Sequence, residues 1–330
     1  MTAQRRSERL IDVPASVAAV SEEAILRTGA KRLSELSDNI PNLIISSTTS
    51  LGSQVNIRGV GASSRNIGFD TRVGVYLDGV YLGQSPALNQ ELVDLERVEV
   101  LRGPQGALFG KNTVAGAINL ISKKPSNERE AFVGARIGNF DERTFTTRLN
   151  LPLGETAAAK LSLNRAERDG FTTNLLDGRT LGDRDAFSWR GQLRFTPNEQ
   201  LEVLASFDGL RTRERGDYGD PISDTFGVTV DRTAPGRRQV AIDHLSVDRR
   251  DILGASVEAA YTLESGTVLK SISAWRDTEF FSTVDVDYSP VNLFWVDFSD
   301  AYEQWSQELQ WLSPKGERLE YLLGLYLYRQ

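Results

Sequence analysis

The sequence predicts a mainly β protein: a small α/β unit up to about residue 124, then a partial, unclosed antiparallel transmembrane β-barrel of about nine strands. Three observations lead there. Before residue 124, helical and strand patterns mix around glycine-marked turns, whereas from about Ala131 apolar and polar residues alternate in runs of roughly ten. Connections between those runs alternate short and long, as they do in barrels whose outer loops are long and whose other turns are tight. No run of 18 apolar residues occurs, so a membrane-crossing helix is excluded; a barrel is not, because its strands bury only alternate side chains in lipid.

Composition narrows the function. The 330 residues include no Cys and one His, His244, which excludes disulfide frameworks, thiolate metal sites and multi-histidine metal sites. A net charge of −7 argues against a general nucleic-acid binder, which needs a basic face.

In the first unit, Ser21–Arg27 reads as a short helix. Ser21 caps it, Glu22 and Glu23 suit the positive end of its dipole, and Gly29 ends it. Lys31–Leu36 reads as a second helical turn with Leu33 and Leu36 inward, stopped before Pro41. Short strands are expected at Val55–Ile57, Val73–Leu77, Val80–Leu82, Val98–Leu101 and Ala117–Ile121. Asp78-Gly79 is a strong hairpin signal.

The second part alternates. Ala186–Phe195 sets Phe187, Trp189, Leu193 and Phe195 against Ser188, Arg190, Gln192 and Arg194. Ile252–Glu264 sets Leu253, Ala255, Val257 and Tyr261 against Ser256, Glu258 and Thr262, and Phe145, Leu149 and Leu151 oppose Thr146, Arg148 and Asn150. Leu319, Tyr321, Leu323, Leu325 and Leu327 form the apolar side of the last strand, with Tyr326 and Tyr328 on its inner face; Val268–Glu279 is placed by spacing alone. Short turns fall at 152–156, 196–200, 264–266 and 313–318. Longer polar connections fall at about 169–185, 211–250 and 280–300, after a short first one at 138–142. Ten residues at ~3.3 Å each, tilted about 45°, span roughly 24 Å, close to the apolar band of an outer membrane. Trp275, Trp305, Trp311 and Tyr302 read as interfacial girdle residues. A soluble β-sandwich gives no reason for the alternating connections.

Val55-Asn56-Ile57-Arg58-Gly59, then Val75 to Tyr81, then Leu95 to Gly110, then Gly116 to Ser122 resemble, in order and spacing, the plug of TonB-dependent outer-membrane receptors. The likeness is dense over about residues 10–125. The barrel half is similar mainly by pattern and through Trp305-Ser306-Gln307-Glu308-Leu309. The resemblance implies a 22-stranded barrel filled by the plug and a receptor that imports a scarce ligand, most often an iron–siderophore complex, across the outer membrane of a Gram-negative bacterium. It implies outer-membrane lipid and a TonB-type energy-coupling protein as partners, no nucleic acid, no cofactor held by the protein and no enzyme activity. Residues 1–13 are expected to follow the family's TonB box, 14–125 to form the plug, and 126–330 the first part of the barrel. About nine strands are too few to close around such a plug, and no apolar signal stretch follows the basic Met1–Arg9. The chain is therefore expected to be a fragment without the box, the signal peptide and the later strands. A non-transporting remnant, a plug-like ligand-binding module, and a receptor for a glycan or cobalamin rather than iron are the alternatives.

Ligand contact is expected from outward-facing plug loops, at Arg58, Arg65, Asn66 and Phe69 and, after the hairpin, at Gly83 and Gln84. By the same resemblance Arg58, Gly83 and Gln84 fall where siderophore receptors touch their ligand. Arg58 and Arg102 end strands in apolar, glycine-rich surroundings, where a guanidinium must find carboxylates or carbonyls. They are expected to latch plug to barrel, and Arg102 to lack its counter-ion if the partner glutamates lie on later strands. Two motifs are set aside. Gly103–Thr113 has Gln105 where a phosphate-binding loop needs its first glycine and Asn112 where it needs Ser or Thr. His244 lies in a charged loop with no Gly-x-Ser-x-Gly elbow in the chain to serve.

Overall fold

A computed structural model describes residues 5–6, 16–49, 52–61, 71–216, 238–316 and 318–330. The first unit runs β1 (Ser16–Ser21), α1 (Glu22–Thr28), α2 (Leu33–Ser37), β2 (Leu43–Thr49), β3 (Gly52–Ile57), β4 (Val60–Gly61), β5 (Val73–Leu77), β6 (Val80–Tyr81), α3 (Ser85–Leu88), β7 (Leu95–Arg102), α4 (Gly106–Phe109) and β8 (Gly116–Ser122). Ser21 Oγ accepts the Ala24 N–H at 3.3 Å and opens α1, and Gly29 closes it at φ +71°, as the capping residues predict. Asp78 and Gly79 take φ +49° and +84° between paired Leu77 and Val80, the tight hairpin turn that right-twisted strands favour.

Two sheets build this unit. One has the order β1-β7-β8-β5-β6, parallel only between β5 and β8; the other is β2-β3-β4. Leu33, Leu36, Ile57, Val73, Val98 and Ile118 are fully buried between sheets and helices. All five residues of β5 are buried, because both of its faces are covered. Gly116 pairs with Arg102 at φ +153°, and a side chain there would meet the Leu101 carbonyl at 2.2 Å.

The second part comprises β9 (Glu130–Gly138), β10 (Glu142–Pro152), β11 (Ala157–Arg168), β12 (Thr172–Asn174), β13 (Thr180–Leu181), β14 (Arg184–Phe195), β15 (Leu201–Glu214), β16 (Gln239–Val240), β17 (Val247–Thr262), β18 (Val268–Asp285), β19 (Trp295–Leu312) and β20 (Leu322–Arg329). Nine of these strands make one antiparallel sheet, β20-β19-β18-β17-β15-β14-β11-β10-β9. Its ends, β9 and β20, are not paired with each other among the described residues, so this is the unclosed wall that the alternation predicts. Leu253, Val257, Leu309, Leu323, Leu325 and Leu327 are exposed on one face. Ser162, Gln192, Ser206, Arg276, Thr278 and Gln304 are buried on the other. An apolar outside around a polar inside is the arrangement of a barrel wall in lipid.

Four expectations change. β18 and β19 run 18 residues each rather than roughly ten, which shortens the third long connection to 286–294. Beyond the lipid band the outward positions turn polar, as at Asp277, Glu279, Asp297 and Ser299, while Phe280 and Val284 are buried on the inward face. The apolar-out alternation therefore stops while the backbone ladder continues. β20 begins only at Leu322, leaving Leu319 and Tyr321 in the preceding turn. Tyr302 stands three residues from Trp305, an odd spacing that puts it on the inner face, away from the girdle formed by Trp275, Trp305 and Trp311. Finally, the polar connections are not structureless: β13-β12-β16 form a small sheet around buried Leu181, Val240 and Ile242.

Gly116→Ala should destabilise the first unit by about 2 kcal/mol, the usual cost of forcing an extra carbon against packed backbone. Faster hydrogen exchange of the β7 and β8 amides in the detergent-solubilised chain checks it.

Candidate functional site

The first unit is seated on the polar face of the wall by three groups of contacts. At the end of the wall with the long connections, Arg184 donates to both oxygens of Glu91, at 2.9 and 2.7 Å, and stands 3.4 Å from Glu35. Arg32 reaches Glu214 at 3.3 Å, and a backbone bridge between Arg32 and Glu91 holds the two plug residues side by side. Arg184 is 4% exposed, so these charges meet away from water. Burial pushes the Glu91 carboxyl up, against the pull of Arg184 and Arg32. Desolvation opposes the charge on Arg32 as well, but Glu214 and Glu91 outweigh it and raise the guanidinium. Lys31, paired with Glu142, is lowered by burial and by the nearby Arg184 and Arg136 charges.

Midway along the wall the anchors are aspartates. Asp94 is 3% exposed with φ +55°, a conformation Asp tolerates better than most residues. It accepts from Lys160 Nζ at 2.8 Å and Ser162 Oγ at 2.6 Å on β11. Its carbonyl takes the Lys123 N–H at 3.1 Å, which ties the start of β7 to the exit of β8. Asp78, in the hairpin turn, accepts the Ser122 N–H and Oγ, both at 2.7 Å, and faces Arg190 of β14 at 3.7 Å. Lys160 and Arg190 have lost water and face a plug carboxylate instead.

On β19, Gln304 binds the plug backbone twice: Nε2 donates to the Tyr81 carbonyl at 2.6 Å, and Oε1 accepts the Gly83 N–H at 3.3 Å. A Cβ on Gly83 would stand 2.5 Å from Tyr328 Oη, so any side chain there must displace the Tyr328 ring. Gln84 is buried beside it.

Gly83 and Gln84 therefore pack against the wall. Arg58 is elsewhere: it is exposed at φ +54°, its N–H bound to the Asn42 carbonyl and its Nη2 to Ser16 Oγ at 3.1 Å. The far end of β3 meets the loop after Gly83, where Ser85 Oγ donates to the Ser53 carbonyl. The strand between Ser53 and Arg58 covers roughly 17 Å, so Arg58 does not join Gly83 and Gln84. Ser16 instead links the two candidate latch residues, since it is the sheet partner of Arg102. Arg102 Nε is buried with no hydrogen-bond partner, and Arg102 forms no ion pair among the described residues. Arg65, Asn66 and Phe69 lie outside the described residues. His244 stacks on Trp295 at 5.3 Å, with Nε2 2.6 Å from Thr283 Oγ1, and no metal-binding cluster occurs among the described residues.

Glu91, Asp94, Lys160, Arg184 and Gln304 were not legible as contacts from sequence. Alternation shows that Lys160 and Gln304 face inward, but nothing local names the residue each meets.

A small mixed unit seated by charge on the polar face of a wall whose other face is apolar defines a class, and comparison agrees. The TonB-dependent Receptor Plug Domain family matches residues 9–117. Residues 9–117 thus carry a TonB-dependent receptor plug domain, and nearly the whole chain is similar to receptors of that kind. The pesticin receptor of Yersinia pestis is 26% identical over 340 residues, which cover 99% of this chain and 47% of that protein. The metal-pseudopaline receptor CntO of Pseudomonas aeruginosa is 36% identical over 127 residues, 38% of this chain and 17% of that one. The crystal structure of the ferric yersiniabactin uptake receptor FyuA from Yersinia pestis matches with a TM-score of 0.81 at 26% identity, covering 95% of this chain and 48% of that one. The chain spans about half the length of the first of these relatives.

Glu91→Ala strands Arg184 without its main partner and should weaken the seat by about 3–5 kcal/mol, whereas Glu91→Ala with Arg184→Met removes both charges and should recover much of that loss. Urea-dependent hydrogen exchange of the α2 and β7 amides, compared across the three proteins, measures the difference.

Proposed function

We propose that this protein acts as a TonB-dependent outer-membrane receptor that binds a scarce ligand and imports it, and that the ligand is an iron–siderophore complex. The observation that carries the reading is the seat itself: a plug held to the polar face of a lipid-exposed wall by separable ion pairs and hydrogen bonds. Its main apolar core lies within the plug, and only small apolar patches, such as Val80 on Ile272 and Ala274 and Ala87 on Leu210 and Ile252, cross to the wall. Ion pairs and hydrogen bonds can be exchanged for water one at a time, so a plug held this way can shift without opening an apolar core. In this reading residues 14–125 are the plug, residues 126–330 the first part of the barrel, and residues 1–13 part of the segment that follows the TonB box. Import then involves no bond chemistry; any iron arrives inside the ligand.

The ligand meets the plug loops at Arg58, Arg65, Asn66 and Phe69, while Gly83 and Gln84, buried against the wall, act on ligand binding by seating their loop. Arg58 and Arg102 serve as latch residues toward the barrel. The names of the relatives support the ligand class, since a ferric yersiniabactin uptake receptor and a metal-pseudopaline receptor both take metal chelates. The charge pattern agrees: arginines on a plug loop suit an anionic chelate.

The test is growth. An iron-starved Gram-negative strain lacking its own siderophore receptors, carrying the complete gene, should be rescued by at least one ferric siderophore in a panel. Gly83→Val should abolish that rescue by unseating the loop. Rescue by cobalamin or a glycan under the matching limitation, with none by any ferric chelate, would assign the ligand to another class.

A further inference from the structure

We propose that Tyr76, Phe109 and Glu308 form a guanidinium-binding site between plug and wall, occupied by Arg5, that clasps the segment ahead of the plug to β19 and β20. The Arg5 guanidinium carbon lies 4.5 Å from the centre of the Phe109 ring and 5.6 Å from that of Tyr76. Its Nε donates to the Leu108 carbonyl at 3.1 Å, and Nη2 stands 3.4 Å from Glu308 Oε1. Ring faces, a carbonyl and a carboxylate converge on one group. A flat cation with in-plane N–H donors satisfies all three together; a compact ammonium does not. The Arg5 side chain is 11% exposed, so water competes weakly.

The site does not need Arg5 to hold its shape. Tyr76 Oη donates to the Phe109 carbonyl at 2.6 Å, and the two rings lie 5.2 Å apart, which fixes the plug half. Gln310 Nε2 donates to Glu308 Oε1 at 2.7 Å, which fixes the wall half. Arg5 lines one side of a cavity of about 220 Å³ between the halves.

Arg6 reaches in a different direction, to the short turn between β19 and β20. Its Nη2 donates to the Tyr321 carbonyl at 2.6 Å and lies 3.0 Å from Ser313 Oγ, while Nη1 stands 3.3 Å from exposed Glu320. Two consecutive arginines thus grip one buried and one solvent-facing point at the same end of the wall. Both arginine side chains are mostly buried, Arg5 at 11% and Arg6 at 9% exposed, but Glu308 is 12% exposed and Glu320 46%, so the Arg6 ion pair is the weaker of the two. The clasp stands on these contacts and is independent of which ligand the receptor takes; a tug on the chain ahead of Arg5 is felt at one point by the wall, through Glu308, and by the plug, through Phe109 and Tyr76.

The chain has no cysteine, so a nitroxide on Thr2→Cys reports on this segment alone in the detergent-solubilised full chain. The parent should give a slow-motion spectrum. Arg5→Ala should raise the ratio of mobile to bound label roughly 30-fold, as expected for losing a desolvated cation–π contact. Phe109→Leu, which leaves the wall untouched, should move the spectrum in the same direction, and Arg6→Ala should move it less. Arg5→Ala combined with Glu308→Gln should add little beyond Arg5→Ala, because the two changes break one contact. A spectrum unmoved by Arg5→Ala or by Phe109→Leu, or a double variant whose effect is the full sum of its parts, would overturn the proposal.

Discussion

The structure depends on one constraint: an antiparallel strand sends successive side chains to opposite faces, and this wall has lipid on one of them. Every inward position is then free to be polar, and most are. A polar face closed off from water must find partners, because an unpaired buried charge costs several kcal/mol. The plug supplies them. Arg184 with Glu91, Lys160 with Asp94 and Gln304 with the Tyr81 carbonyl are consequences of that one requirement, met at successive heights along the wall.

The polarity of these pairs has a consequence. At Glu91, Asp94 and Asp78 the plug gives the acid and the wall the cation; at Lys31 and Arg32 the roles reverse. Mixed signs across the interface fix its register, since a shifted plug would bring like charges together. The plug's own stability rests elsewhere, in the apolar layer around Leu33, Val73, Val98 and Ile118. Seat and core are thus physically separate: loosening the one leaves the other packed.

Much of the fold was legible because its signals are local. The Ser21 cap, the Asp78-Gly79 turn and the alternation in Ala186–Phe195 each need only neighbouring residues, and each forms as read. The small sheet of β12, β13 and β16 was not legible, because its parallel pair joins Thr173 to Gln239 across a long stretch of chain and its strands are two or three residues long. Strand ends were misjudged where the outward face turns polar, as at Asp277 and Asp297, and the apolar-out alternation gives way. The site was less legible still. Glycine at position 83 could be singled out, but its reason, the Tyr328 hydroxyl at 2.5 Å from where a Cβ would stand, comes from the far end of the chain. The seat consists of long-range pairs, and a single sequence holds no signal for them.

The most direct measurement is of the wall's two faces. Single cysteines placed at Leu253, Val257 and Leu325, and in parallel at Gln192, Ser206 and Ser256, carry a small fluorophore into vesicles containing brominated lipid. Strong quenching at the first three and little at the second three is the expected result, since only the first set touches hydrocarbon. Equal quenching in both sets, or none in either, would contradict a lipid-facing wall and with it the reason for the charged seat.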